Sequence, residues 1–199
     1  VEPVDNRTVR GLSSFFTLVA LNLIYVVTCI PVLTIGAATS ALLETMDAVR
    51  TDPDTDMLRT YMAALKSDKI RGTVVFWTLC LPALLALFAI SFWWSVGGAA
   101  GTIAALAAGL FTLYLAASTA HGMLLVATRT APARTTIHNS LLLPAAAPGR
   151  SLLLVLVPVT EIAVAIAVPV SLILILTVGL TIGALIQTAV AAPLYASLS

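Results

Sequence analysis

The sequence predicts an all-α polytopic membrane protein, a bundle of about five membrane-embedded helices with short cytoplasmic amphipathic helices, and three observations predict it. Of the 199 residues, 60% are hydrophobic and 10% charged, and the mean hydropathy is +1.06. A soluble domain carries roughly 25% charged residues, so this chain has too few to coat a water-facing surface. From Gly72 through Thr128 there is no Asp, Glu, Lys or Arg, and after Arg150 the single charged side chain is Glu161. The charge gathers instead in the first ten residues, in Glu44 to Arg71 and in Arg129 to Arg150. The apolar stretches between those clusters are long enough to cross a bilayer. A formal net charge of +1 offers no basic field for a nucleic acid, which leaves membrane lipid as the expected environment.

The chain reads as a single membrane domain over 1–199, with membrane segments at about 12–35, 73–95, 101–127, 151–168 and 170–197. Arg7 and Arg10 resemble the head of a signal peptide, but the apolar run from Gly11 to Ile35 exceeds the roughly 7–15 residues of a signal core, so a resident span is expected. Pro31 and Gly36 mark a kink or break in it. Ala37 to Arg50 then has helical periodicity, with Ala38, Ala41, Leu42, Thr45 and Val49 on one face and Glu44, Asp47 and Arg50 off it. Asp52-Pro53-Asp54 is a turn. A second amphipathic helix follows, with Leu58, Tyr61, Met62, Leu65 and Lys69 near one face, acids before it and bases near its end. Both helices are expected at the cytoplasmic interface.

Trp93-Trp94 closes the next span as an aromatic belt, and Gly97-Gly98 makes a short turn. Gly101, Ala105 and Gly109 recur every fourth position, and Gly179 and Gly183 form a GxxxG; both stripes predict close helix packing and are compatible with a homo-oligomer. In the second polar loop a short helix is expected near Thr135 to Leu143, ended by Pro144 and Pro148-Gly149. The last two segments turn near Pro169. Arg50, Arg59, Lys66, Lys69 and Arg71 in one loop, and Arg129, Arg134 and Arg150 in the other, place both loops in the cytoplasm. The N-terminus is ambiguous. A full crossing leaves Arg7 and Arg10 outside, in a tail neutralised by Glu2 and Asp5, whereas a re-entrant hairpin at Pro31 to Gly36 keeps them inside. The length of the run favours the crossing.

Glu161 is the sharpest candidate, because an ionisable group at mid-membrane costs roughly 2.5–3.5 kcal/mol on insertion scales. It points either to a proton relay, cation contact or partner helix, or to a hydrogen bond with a carbonyl freed by Pro158 or Pro169. His121 is placed to pair with it only loosely and reads as a packing histidine. Asn22 and Gln187 read as interhelical hydrogen-bond glue. Cys29 and Cys80 read as buried thiols. No GxSxG, HExxH or Walker motif occurs, and Asp52, Asp54 and Asp56 lack the glycine and glutamate of a calcium loop. No enzyme activity, catalytic residue, metal or cofactor is expected.

Phe16, Leu21-Asn22-Leu23, Pro31-Val32-Leu33-Thr34-Ile35-Gly36-Ala37-Ala38 and Ala41-Leu42 together resemble the signature of the YesL-like bacterial membrane proteins, a domain family of unknown function. Leu65-Lys66-Ser67-Asp68 through Arg71-Gly72-Thr73 and Asn139 to Leu143 are weaker parts of the same likeness; Asp68 and Lys69 depart from it. The resemblance implies the bacterial plasma membrane and a setting beside carbohydrate ABC importers, whose permease or ATPase subunits would be the partners. It implies no catalytic residues. Within the motif, Pro31, Thr34 and Gly36 are candidates because a helix break in the membrane frees backbone groups that only protein or a cavity satisfies. The expected function is therefore an accessory or assembly subunit of such an importer. The alternative is a small stand-alone transporter or channel, its path lined by Glu161 and the Pro31–Gly36 break.

Overall fold

The computed structural model describes the backbone of residues 5–196 and the side chains of 14–195. Glu2, the side chains of Asp5, Arg7 and Arg10, and Ser197 at the end of the expected last segment lie outside the described residues. The helices are α1 (Asp5–Cys29), α2 (Ile35–Thr51), α3 (Met57–Ser67), α4 (Lys69–Val96), α5 (Gly98–Thr128), α6 (Ala133–Ala146), α7 (Pro148–Ala167), α8 (Ser171–Leu174) and α9 (Leu180–Ala196). A 3₁₀ turn at Val32–Thr34 precedes α2, and a π-helical segment, Ile175–Gly179, joins α8 to α9. Five helical stretches among the described residues are long and apolar enough to cross a membrane: Val32–Thr51, Lys69–Val96, Gly98–Thr128, Pro148–Ala167 and Ser171–Tyr195. The all-α bundle is as expected.

The long α4–α5 hairpin is its backbone. Gly97 and Gly98 join the two helices with φ of 71° and 65°, a left-handed conformation that glycine adopts without a Cβ penalty. At the opposite end Arg71 reaches across the hairpin. Its guanidinium donates to the carbonyls of Val126, Arg129 and Ala131 and pairs with Asp68 at 2.9 Å. A cation at the C-terminus of α5 satisfies carbonyls that the helix leaves over. The contact also brings the two Lys/Arg-rich loops to one end of the molecule.

The first span is broken where Pro31 and Gly36 marked it, so the 12–35 segment is not one continuous span. α1 ends at Cys29 and the chain restarts after Pro31. Proline lacks an N–H, so the break must satisfy its own carbonyls. Thr34 does most of this: its hydroxyl donates to Thr28 and Pro31, and its N–H to Pro31 at 2.8 Å. Trp77 Nε1 donates to the Leu33 carbonyl at 3.3 Å.

The helix that follows corrects a second expectation. α2 is amphipathic as read, yet it lies inside the bundle, packed by α3, α4, α5 and α9, instead of on its surface. Ala37, Ala38, Ala41, Leu42, Leu43 and Met46 are buried, and so are Ser40 and Thr45, whose hydroxyls donate to carbonyls of their own helix. Small residues make this possible. A Cβ on Gly36 would collide with Phe76 and come within 2.5 Å of the Gly72 carbonyl oxygen; one on Gly72 would lie 2.6 Å from Ser40 Oγ. The α2–α4 crossing is therefore closed to a side chain at Gly36 and tight against backbone at Gly72. α3 does sit peripherally, as expected. Asp56 caps it by accepting from the Arg59 N–H, and Tyr61 anchors it through a 2.6 Å hydrogen bond with Thr28. Burial pushes the Tyr61 hydroxyl up to about 12, so it remains protonated for that bond.

The small-residue stripes divide. Gly101 abuts the Trp93 carbonyl at 2.7 Å from an added Cβ, and Ala105 is buried, so the upper part of the α5 stripe is a close contact. Gly109 is not: its nearest neighbour there is Ile90 Cδ1 at 3.9 Å, which leaves room. Gly183 meets Glu161 and Val157 of α7, whereas the atoms nearest an added Cβ on Gly179 belong to Ile175 in its own preceding turn. Pro144 also differs from expectation, since it lies within α6, which runs on to Ala146 before Pro148 starts α7.

Candidate functional site

The last two spans turn at Pro169 and lie side by side, but α8, the π-helical segment and α9 do not close fully onto α7. An apolar groove of about 500 Å³ runs between them, walled by residues such as Leu156, Val164, Leu174, Ile182 and Ile186. Thr160 and Glu161 are its polar lining residues. Glu161 sits nearer the Ala167 end of α7 than the Pro148 end, so it is shallower than a mid-span position. It is half-buried, and its carboxyl makes no hydrogen bond or ion pair among the described residues. Gly183 is what makes space for it: the carboxyl rests where a Cβ on Gly183 would lie.

One of the two carbonyls expected as partners of Glu161, the one freed by Pro158, is taken by another residue. Pro158 cannot donate to the Leu154 carbonyl, and the Gln187 amide from α9 does so at 3.1 Å. A second cavity, of about 240 Å³, opens on the inner side of the same contact. It is lined by Tyr25, Thr39, Phe76, Met123, Gln187 and other residues, and it shares Val157, Glu161 and Gly183 with the outer groove. Glu161 thus stands at the wall between a lipid-facing groove and an interior cavity. Tyr25 and Thr39 use their hydroxyls on each other at 3.2 Å.

Asn22 holds the irregular part of the last span. A π-helical stretch shifts hydrogen bonding by one residue and leaves backbone groups without their usual partners. The fully buried Asn22 amide donates to the carbonyls of Leu176 at 2.6 Å and Ile175 at 3.2 Å, and its oxygen accepts the Thr181 N–H at 2.9 Å. All three contacts are to backbone, so Asn22 fixes the shape of the segment opposite Glu161.

His121 belongs to a different cluster and does not pair with Glu161. Completely buried in α5, it bonds Ser151 Oγ through Nε2 at 2.8 Å and the Tyr195 hydroxyl through Nδ1 at 3.0 Å. Ser151 spends its own proton on the Ala147 carbonyl at 2.9 Å, so it accepts from His121. The ring then carries its proton on Nε2 and accepts from Tyr195. This neutral chain ties α5, α7 and α9 together at the end where Arg129 donates to the Tyr195 carbonyl. Pro31, Thr34 and Gly36 line neither of the two cavities at Glu161. Gln187 and Asn22 were legible as polar residues in apolar helices; Ser151 and Tyr195 carried no signal in the sequence, since their partner lies in another span. Among the described residues no group of three His, Cys, Asp or Glu side chains is placed to hold a metal.

Residues 18–90 match the model of a family described as Protein of unknown function, DUF624, which is the YesL-like family of bacterial membrane proteins. Neither the comparison with curated proteins nor that with solved structures gives a match.

Proposed function

We propose, from a multi-pass chain whose residues 18–90 match the YesL-like family model, that this protein is a non-enzymatic accessory or assembly subunit of the bacterial plasma membrane, associated with carbohydrate ABC import. The observation that carries the docking part of this reading is α3. Its inner face, Met57, Tyr61 and Ala64, is buried against the bundle, and its cap and the Tyr61–Thr28 bond hold it in place. Its outer face leaves Arg59, Met62 and Lys66 exposed, next to the exposed Lys69 and Ile70. A helix anchored in this way, with a mixed basic and apolar outer face, offers a surface on which a protein partner could dock. The carbohydrate importer as partner rests on the family resemblance.

The alternative, a path running from Glu161 to the Pro31–Gly36 break, loses support because those features line no common cavity. Tagged protein at native expression, solubilised in mild detergent, should bring down a permease or ATPase subunit in stoichiometric amount. Arg59→Glu combined with Lys66→Glu should abolish that recovery with the same yield of folded protein. Recovery of no such subunit by the unaltered chain would overturn the proposal. The orientation is tested independently, since a cysteine at Gly98 should react with an impermeant reagent added outside and one at Thr55 should not.

A further inference from the structure

The wall between the outer groove and the inner cavity has an unbalanced set of polar groups. Gln187 uses its N–H on Leu154, which leaves its Oε1 as an acceptor. The Glu161 carboxylate adds two more acceptor oxygens with no partner, and the Tyr25 and Thr39 hydroxyls are engaged with each other. Nothing charged positive lines either cavity. An occupant that brings hydrogen-bond donors and a positive charge would satisfy this wall, because a half-buried carboxylate gains most from a charged donor. The groove that leads to it is apolar along α7 from Leu153 to Val164, roughly 16 Å at the helical rise, and it opens laterally. Its volume of about 500 Å³ and apolar lining give room for an alkyl chain.

We propose that this groove and the wall at Glu161 form a laterally entered binding site for a lipophilic ammonium, its alkyl chain between α7 and α9 and its N–H groups on the Glu161 carboxylate and Gln187 Oε1. Charge complementarity and the surplus of acceptors select an ammonium over an alcohol of the same chain. Gly183 supplies access, because any side chain there would displace the carboxyl. The site does not depend on the importer-subunit reading, since none of its residues lies on the outer face of α3.

The test is thermal unfolding of the purified protein in nanodiscs of neutral phosphatidylcholine, with decylammonium, decanol or decyltrimethylammonium added at equal membrane concentration. Decylammonium should raise Tm by about 5 °C near saturation, with decanol giving no comparable rise and decyltrimethylammonium, which lacks N–H donors, falling between. Glu161→Gln should retain the Tm of the unliganded protein and lose the preference for decylammonium over decanol. Ile182→Trp, which fills the groove at an exposed wall position, should weaken the decylammonium response without removing the carboxylate. Equal shifts from decylammonium and decanol would show simple partitioning and overturn the proposal. So would a decylammonium-specific shift that survives both substitutions.

Discussion

Two of the helix contacts that turn on a glycine are built in opposite ways. At the α2–α4 crossing, Gly36 and Gly72 face each other and backbone meets backbone, with Phe76 and Ser40 closing the sides. At the α7–α9 contact, Gly183 faces a flexible carboxyl, and the helices stand apart enough to leave a groove and a cavity. The first contact lies inside the family-matched residues 18–90, and it joins the two segments that carry the resemblance, Pro31 to Ala38 and Leu65 to Thr73. In a membrane, where helices gain little from leaving lipid, close van der Waals contact is the main attraction between them. The α2–α4 contact uses that attraction fully. The α7–α9 contact gives part of it up and keeps, in Glu161, a polar group that makes no bond among the described residues.

The sharpest way to break this comparison is to enlarge the first glycine. Gly36→Leu should cost about 3 kcal/mol or more, because neither backbone can move aside. That corresponds to a fall in Tm of roughly 6–12 °C, measured in detergent, or to loss of folded protein. A Tm within 2 °C of the parent would mean that the crossing is not close.

Removing the clamp on the π-helical segment comes next. Asn22→Leu strands the Thr181 N–H and the Ile175 and Leu176 carbonyls, at a cost of about 2–3 kcal/mol. Hydrogen exchange of the Thr181 amide should rise with it, and unchanged protection there would show that the segment holds its own shape.

Gln187→Leu should cost less, about 1–2 kcal/mol, since it frees the single carbonyl of Leu154. The prediction fails if Pro158→Ala, which supplies a backbone N–H to the same carbonyl, does not reduce the penalty in the double variant.

The smallest effect is expected at the most conspicuous residue. Glu161→Leu should change stability by no more than about 0.5 kcal/mol, because no hydrogen bond is lost and the groove has room. A larger loss, seen as a depressed Tm, would reveal a structural partner for Glu161 and bring the two contacts closer in kind. Gly109→Leu is expected to be similarly mild, whereas Gly101→Leu should not be, given the Trp93 carbonyl beside it.

The sequence by itself determined the class of the protein, its apolar stretches and the break after α1. Those follow from composition and from the single-residue chemistry of proline and charge, which act locally and need no knowledge of neighbours. It also marked Glu161 as the residue to explain, since a carboxyl in an apolar span is costly wherever the span packs. What it could not determine was which helix α2 would touch. Ala38, Ala41 and Thr45 recur with the same period whether the face they make lies on a surface or in a core, and the answer came from Gly72, in another helix. The partners of His121 and of the Leu154 carbonyl were decided in the same way. Ser151 and Tyr195 lie 30 and 74 residues from His121, and Gln187 lies 33 from Leu154, so each pair meets only because α5, α7 and α9 pack together. A stripe of small residues permits close approach without naming the helix that approaches, so Gly179 and Gly183 read alike in sequence and differ in the fold. Only the packed bundle decides which glycine carries a contact and which polar side chain is left without one.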